Sequence, residues 1–331
     1  MFNSSYTSGA SRRDIRGLLS RCAFAYENYI AHIPGIAAVD AALSEKMIRK
    51  QLHGLGVQYQ DLIMMDHHTA HIVSSLKGFW SDHFMGLSLD AYGDRKSGSV
   101  VYQFKDRIRQ EKTIPFRHSV ALVYGYITEY LGFAEGDEGK VMALAEYGNA
   151  TDCVHLIESL FTVENGEITV RSCYKQKGFR KRMFRFNKED IAYALQRTLE
   201  KVVLRFCRHI LSLWNDTSQS PDLFLSGGLF ANAKLNQYIH DSGLFNRIFV
   251  HPCMNDGGTA LAALDFTPSA LYSTSSSIEH VFWGPSYDDR EIRDILDSYN
   301  IDYEYAEDID VRIAFLLSQG NVIARFAGPM E

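Results

Sequence analysis

The chain has 331 residues, 46% hydrophobic and 22% charged, an ordinary globular balance with length for about two domains. This excludes a disordered chain, a collagen-like repeat and a disulfide miniprotein. A formal net charge of −6 provides no global field for nucleic acid or an anionic membrane, and neither is expected as a partner.

Residues 1–60 read as largely helical, with Val39, Leu43, Met47 and Ile48 at roughly helical spacing. The pattern then becomes α/β. The short apolar run Leu62–Met65 ends at Asp66, and a helical segment follows from His67 to Gly78. Phe84–Leu89 reads as a buried strand, Asp90–Asp94 as a polar glycine turn and Ser99–Phe104 as a second strand, together a hairpin. Ser119–Leu131 is helical, and Asn165-Gly166 is the turn of a short hairpin within Val163–Ile168. The basic, aromatic stretch Lys175–Lys188 reads as a solvated face. Glu189–Leu213 is the clearest helix, with Ile191, Leu195, Leu199, Val202, Phe206 and Ile210 on one stripe. Strands at Asp222–Leu225 and Arg247–Val250 each run into a Gly-Gly turn, followed by helices at Asn232–His240 and from Thr259. Thr267–Ser277 is small and polar, a linker; beyond it Asp288–Ser298 reads as a helix and Val322–Phe326 as a strand.

Five widely spaced cysteines, Cys22, Cys153, Cys173, Cys207 and Cys253, form no CxxC or zinc pattern and read as thiols of a reducing compartment. The first residues lack the order of a secretory signal, and no run approaches the ~20 apolar residues of a membrane span. A cytoplasmic protein is expected.

Five motifs could carry chemistry. In Asp66-His67-His68-Thr69-Ala70-His71, His67 and His71 are four apart, so on a helix both rings leave one face and can share a metal; a satisfied structural cluster is the alternative. The glutamate of a zinc-protease HExxH pattern is absent, since His68 stands in its place. Asp90 leaves its strand in a glycine turn, either presenting a carboxylate to phosphate or metal or making a plain β-turn. Gly136-Asp137-Glu138-Gly139-Lys140 precedes a helix, where backbone N–H groups and Lys140 could approach an anion, or where an ordinary loop could stand. Gly227-Gly228, with Asn232 at the next helix start, permits close backbone approach to a nucleotide. Asp256-Gly257-Gly258 presents a second carboxylate in a tight turn.

In order, DHHTAH, SLDAYGD, EGKVMALAEYG, LSGGLFANAKLN and HPCMNDGGTALAA resemble the carbamoyltransferase family of nodulation and antibiotic biosynthesis, the NodU/CmcH type. FWGPSYDDREI and NVIARFAGPME resemble that family's continuation. The resemblance implies an α/β fold: an actin-like ATPase (ribonuclease-H-like) domain over residues 1–270, a linker at 271–280, and the beginning of a YrdC-like α/β domain over 281–331. The actin-like domain's first phosphate hairpin and the rest of the YrdC-like domain are not recognisable, so both ends are expected to be truncated relative to the family. By resemblance the YrdC-like domain makes carbamoyl-adenylate from carbamoyl phosphate and ATP. The actin-like domain then transfers the carbamoyl group to a hydroxyl of a small-molecule or oligosaccharide acceptor. The resemblance assigns His67, His71, Asp90 and Asp256 to a metal, usually iron as Fe(2+). It assigns Glu138, Lys140, Gly227, Gly228 and Asn232 to the nucleotide, and Asp90 and His71 to catalysis, with His68 structural. The other reading is a catalytically incomplete nucleotide- and metal-binding fragment that needs a second polypeptide for the missing YrdC-like part. An actin-like sugar kinase leaves the histidine pair unexplained.

Overall fold

The computed structural model describes residues 34–76, 81, 83–104, 107–213, 220–263, 280, 282 and 284–329. Within residues 34–60 the expected helix is present as α1 (Pro34–Gly54); residues 1–33 and the expected linker stretch 267–277 lie outside the described residues. Helix α2 (His67–Ser75) starts where its sequence directs: Asp66 caps it by accepting from the Thr69 amide at 3.1 Å. Lys96 holds that cap at 2.6 Å.

Strand β1 (His83–Gly93) runs past the expected end at Leu89, and β2 (Lys96–Phe104) and β3 (Arg107–Pro115) complete an antiparallel meander. The hairpin turns at Asp94-Arg95, both left-handed with φ of 47° and 66°, rather than at the glycine-containing stretch Asp90–Gly93. Two left-handed residues match the right-handed twist of the flanking strands, which is what a two-residue hairpin requires. The third strand escaped the sequence reading because its polar run carries no alternation.

Helix α3 (Val120–Tyr130) is capped by Ser119; α4 (Glu138–Leu144) and α5 (Thr151–Glu158) follow, then a hairpin of β4 (Phe161–Glu164) and β5 (Glu167–Val170). Asn165 and Gly166 make its turn with φ of 52° and 70°, as the dipeptide predicts. The basic stretch forms a short 3-10 turn and α6 (Lys177–Met183), which buries Phe179 and Met183. Helix α7 (Lys188–Ser212) drives the predicted stripe into the core: Ile191, Leu195, Leu199, Val202, Phe206 and Ile210 are all buried. Strand β6 (Asp222–Ser226), α8 (Ala233–Asp241) and β7 (Ile248–Val250) complete this part. The segment from Asp256 to Ala263 is 3-10 rather than the expected α-helix.

The five strands form one mixed sheet of order β3-β2-β1-β6-β7, with β6 and β7 parallel to β1. This is the ribonuclease-H-like sheet of an actin-like ATPase fold. The main core lies between the sheet and α3, α5 and α7, while α2 covers the opposite face with Leu76 against Phe84 and Phe224. No helix among the described residues is long and apolar enough to cross a membrane.

The chain divides into two compact units, residues 1–277 and 278–331. The second holds α9 (Asp289–Ser298), started by a reciprocal capping box of Asp288 and Glu291, and α10 (Ile309–Ser318). Val322–Phe326 is not paired as the expected strand; a strand needs a ladder partner, and none stands beside it among the described residues.

Phe224 is fully buried with its ring edge-on to Phe84 at 5.1 Å, so Phe224→Ala should cost about 3–5 kcal/mol by urea unfolding, with no change in the slope of the transition.

Candidate metal and nucleotide site

Helix α2 presents His67 and His71 from one turn to the next, and their Nε2 atoms lie 3.1 Å apart. Asp90, on β1, brings Oδ2 to 3.1 Å from His71 Nε2 and 3.5 Å from His67 Nε2. Asp256, at the start of the 3-10 segment, brings Oδ1 to 3.3 and 3.5 Å from the same two atoms. One ligand atom from each of the four residues thus falls within a group spanning 4.8 Å. Three are largely shielded, whereas the Asp256 side chain is 47% exposed and leaves the group open on one side.

The surroundings hold this geometry. Gly93 is glycine for space rather than for a turn, because a Cβ there would run into the His67 ring. Asp94 accepts from the His67 backbone amide at 2.6 Å, and Ser119 donates to the Asp90 carbonyl at 3.0 Å while capping α3. The second Asp90 oxygen accepts from the Ala91 amide at 2.6 Å. Burial favours a neutral Asp90, but hydrogen bonds from His67 and His71 outweigh it and hold the carboxyl well below its ordinary range. Burial likewise opposes a charged His71, yet Asp256 and Asp90 raise it above its ordinary value. His68, buried and beside His67, is pushed down to about 4.

Asp90 also lines a cavity of about 310 Å³, with Tyr124 on α3, Glu138 on α4 and the Gly228–Asn232 turn. Gly227, at φ 94°, lies so close to the Leu89 carbonyl that a Cβ would overlap it. The turn therefore packs directly on the strand that carries Asp90, and a Cβ on Gly228 would stand 3.1 Å from Asp90 Oδ1.

The expected residues are not all equivalent. Glu138 and Gly228 line the cavity; Gly227 does not line it and packs on the Leu89 backbone. Lys140 turns aside to Asp137 at 2.7 Å. Asn232 reaches the cavity, but its side chain caps α8 through the Leu235 amide at 2.9 Å and is paired with Gln196. The sequence reading missed Tyr124, Ser119 and Gln196. Ser119 was legible as a helix cap, while Gln196 is hidden inside the α7 pattern.

Residues 35–264 match the family model of the carbamoyltransferase N-terminus. The chain belongs to this carbamoyltransferase family. It is 29% identical to nodulation protein NolNO of Sinorhizobium fredii over 312 residues, 88% of this chain and 45% of that protein. Nodulation protein NolO of Bradyrhizobium diazoefficiens is 28% identical over 281 residues, 81% of this chain and 50% of that protein. The 3'-hydroxymethylcephem-O-carbamoyltransferase of Streptomyces clavuligerus is 26% identical over 151 residues, 44% of this chain and 27% of that one. The chain spans about half the length of these first two curated relatives.

In this family member, Gly93→Ala should displace the His67 ring, which a crystal structure of the variant would show. The titrating pair should also mark metal-free protein. His71 is held above its ordinary 6.5, so its contribution is full below that value and fades as pH rises through the raised one. Asp90 is held below its ordinary 3.8, so its contribution is full above that value and fades as pH falls through the depressed one. The pair should therefore stabilise most between pH 3.8 and 6.5, and Asp90→Asn should flatten that window in a pH series of melting temperatures.

Proposed function

We propose that the chain performs the transfer step of an ATP-dependent O-carbamoyl transfer, moving the carbamoyl group of carbamoyl-adenylate to a hydroxyl of a small-molecule or oligosaccharide acceptor. The observation that carries this reading is that Asp90 belongs both to the His67–His71–Asp90–Asp256 group and to the cavity lined by Gly228 and Glu138. Family membership supports the carbamoyl chemistry.

The donor set fits a metal. Two imidazole nitrogens facing each other beside two carboxylates form a mixed N/O set suited to Fe(II), Mn(II) or Zn(II), of which Fe(2+) is the expected occupant. Bound there, a divalent ion would supply Lewis acidity toward the carbamoyl oxygen. The chain's own residues do the rest. The Gly227-Gly228 turn admits the adenylate phosphate beside Asp90, and Glu138, Asn232 and Lys140 line or flank the nucleotide's path. Asp90, kept anionic by its histidines, accepts a hydrogen bond from the acceptor hydroxyl and aims its oxygen at the carbamoyl carbon, while His71 holds Asp90 in place. The new C–O bond forms as the bond from carbamoyl carbon to phosphate oxygen breaks. AMP departs with the hydroxyl proton, and no covalent enzyme intermediate is needed.

Carbamoyl-adenylate itself would come from carbamoyl phosphate and ATP in a YrdC-like part, of which residues 281–331 are the start, within a domain order of 1–270, 271–280 and 281–331. A second reading is a nucleotide- and metal-binding piece that transfers only when a second polypeptide brings that part. Product from the isolated chain with carbamoyl phosphate, ATP and a panel of hydroxylated acceptors would exclude this second reading.

Purified protein should carry about one equivalent of metal that the His67→Ala/His71→Ala double variant loses. Calorimetry should show ATP or ADP binding that Gly228→Val abolishes. Stoichiometric metal in the double variant would overturn the ligand assignment, and unchanged nucleotide binding by Gly228→Val would overturn the cavity's role.

A further inference from the structure

Two polar side chains interrupt the buried face of α7. Gln196 is 5% exposed and Glu200 4%, and they stand one turn apart on the same face. A buried carboxylate is costly unless its oxygens are occupied, and here both are. Oε1 accepts from Gln196 Nε2 at 2.9 Å, and Oε2 accepts from Arg197 at 2.8 Å. The proposed transfer chemistry makes no use of Glu200.

From Glu200 a chain of hydrogen bonds leads to the cavity that Asp90 lines. Gln196 and Asn232 form a two-way amide pair. Gln196 Nε2 donates to Asn232 Oδ1 at 3.1 Å, and Asn232 Nδ2 donates to Gln196 Oε1 at 2.8 Å. The Tyr124 hydroxyl donates to the same Gln196 Oε1 at 3.3 Å. The pair is a partition. Asn232 and Tyr124 line the Asp90 cavity, whereas Gln196 and Glu200 line a second cavity of about 350 Å³.

The two ends of an amide have the same shape, so the chemistry of the partners decides which way each one points. A carboxylate only accepts, and a backbone N–H only donates. Glu200 therefore holds the Gln196 NH2 toward itself, and the Leu235 amide, at 2.9 Å, holds the Asn232 oxygen toward α8. The two anchors agree, since each leaves its amide ready to pair with the other. In a two-way amide pair, Glu200 and the Leu235 amide then share one edge, and Tyr124 stands on the opposite edge. The second N–H of Asn232 leaves by the Tyr124 edge, on the side of the cavity both residues line.

We propose that Glu200, acting through Gln196, sets the Asn232 amide with its second N–H toward the nucleotide, so that Asn232 meets the nucleotide as a donor. Gln196 and Glu200 are then positioning residues and touch no substrate. For its ligand this inference rests on the nucleotide reading above; the orientation of the amides does not.

The test is ADP affinity of the full chain by calorimetry, joined to the Asn232 side-chain amide resonances of isotope-labelled protein, identified by their loss in Asn232→Ser. Serine caps a helix about as well as asparagine, so that variant keeps the start of α8 while removing the N–H. Asn232→Ser and Glu200→Leu should each weaken ADP about tenfold, roughly the worth of one hydrogen bond. Combined, they should weaken it no more than either alone, because both remove the same contact. Glu200→Gln keeps an oxygen for Gln196; it should restore most of the affinity and return the Asn232 resonances that Glu200→Leu displaces. Gln196→Met, which breaks the chain at its middle, carries the same expectations should Glu200→Leu not fold. Additive losses, wild-type ADP affinity in the folded variant, or Asn232 resonances that stay in place would overturn the proposal. A wild-type chain that binds no ADP would overturn the nucleotide reading instead, while the resonances would still decide the amide orientation.

Discussion

Everything around the candidate site depends on the parallel pairing of β1 with β6. It sets Ser88 beside Ser226 and, one step on, places Asp90 next to the Gly227-Gly228 turn. A hydrogen-bond ladder with side chains alternating between faces leaves little freedom: a slip of one residue would turn Asp90 away from α2 and turn Leu87 and Leu89 out of the core. The apolar fill on one face of β1 and the polar row on the other therefore specify the register together. Gly227 completes the fit because only a residue without Cβ can rest on the Leu89 carbonyl.

Helix α2 is the second half of that constraint. Its lower end is held by hydrophobic contact, and its upper end by hydrogen bonds and charge: the Asp66 cap, the Lys96–Asp66 pair, the Asp94 contact to the His67 amide and the histidine–carboxylate group. Hydrophobic packing is tolerant of small rotations, whereas four donor atoms within 4.8 Å are not. The apolar end thus supplies stability and the polar end fixes orientation. Asp90 carries the electrostatic load, since two nearby imidazoles keep it charged despite burial. A carboxylate held anionic despite its burial, shared by a metal-type donor set and a cavity, is what makes the proposed transfer chemically coherent.

Much was legible in the sequence, for identifiable reasons. The α7 stripe announces itself because its period matches the helix, the Asn165-Gly166 turn because both residues tolerate left-handed backbone, and His67 with His71 because four residues bring a helix just past full circle. Family motifs at Asp90, Gly227-Gly228 and Asp256 were legible as residue types in order. The errors were local. Gly93 reads as a turn residue but is a spacing residue for His67, β3 carries no alternating pattern, and the Val322–Phe326 strand had no ladder partner to define it.

What the sequence by itself determined was the longer helices, α2, α3, α7, α8 and α9 among them, the strands that lead into each Gly-Gly turn, and the chemical types available at each. Local periodicity and backbone preference suffice for those. Only the tertiary structure decided that Asp90 serves two neighbours at once, that Asn232 and Lys140 have much of their polar reach occupied elsewhere, and that Ser88 and Ser226 stand side by side. These are consequences of register and of α2 crossing the sheet, contacts between residues far apart in the chain that no local pattern encodes.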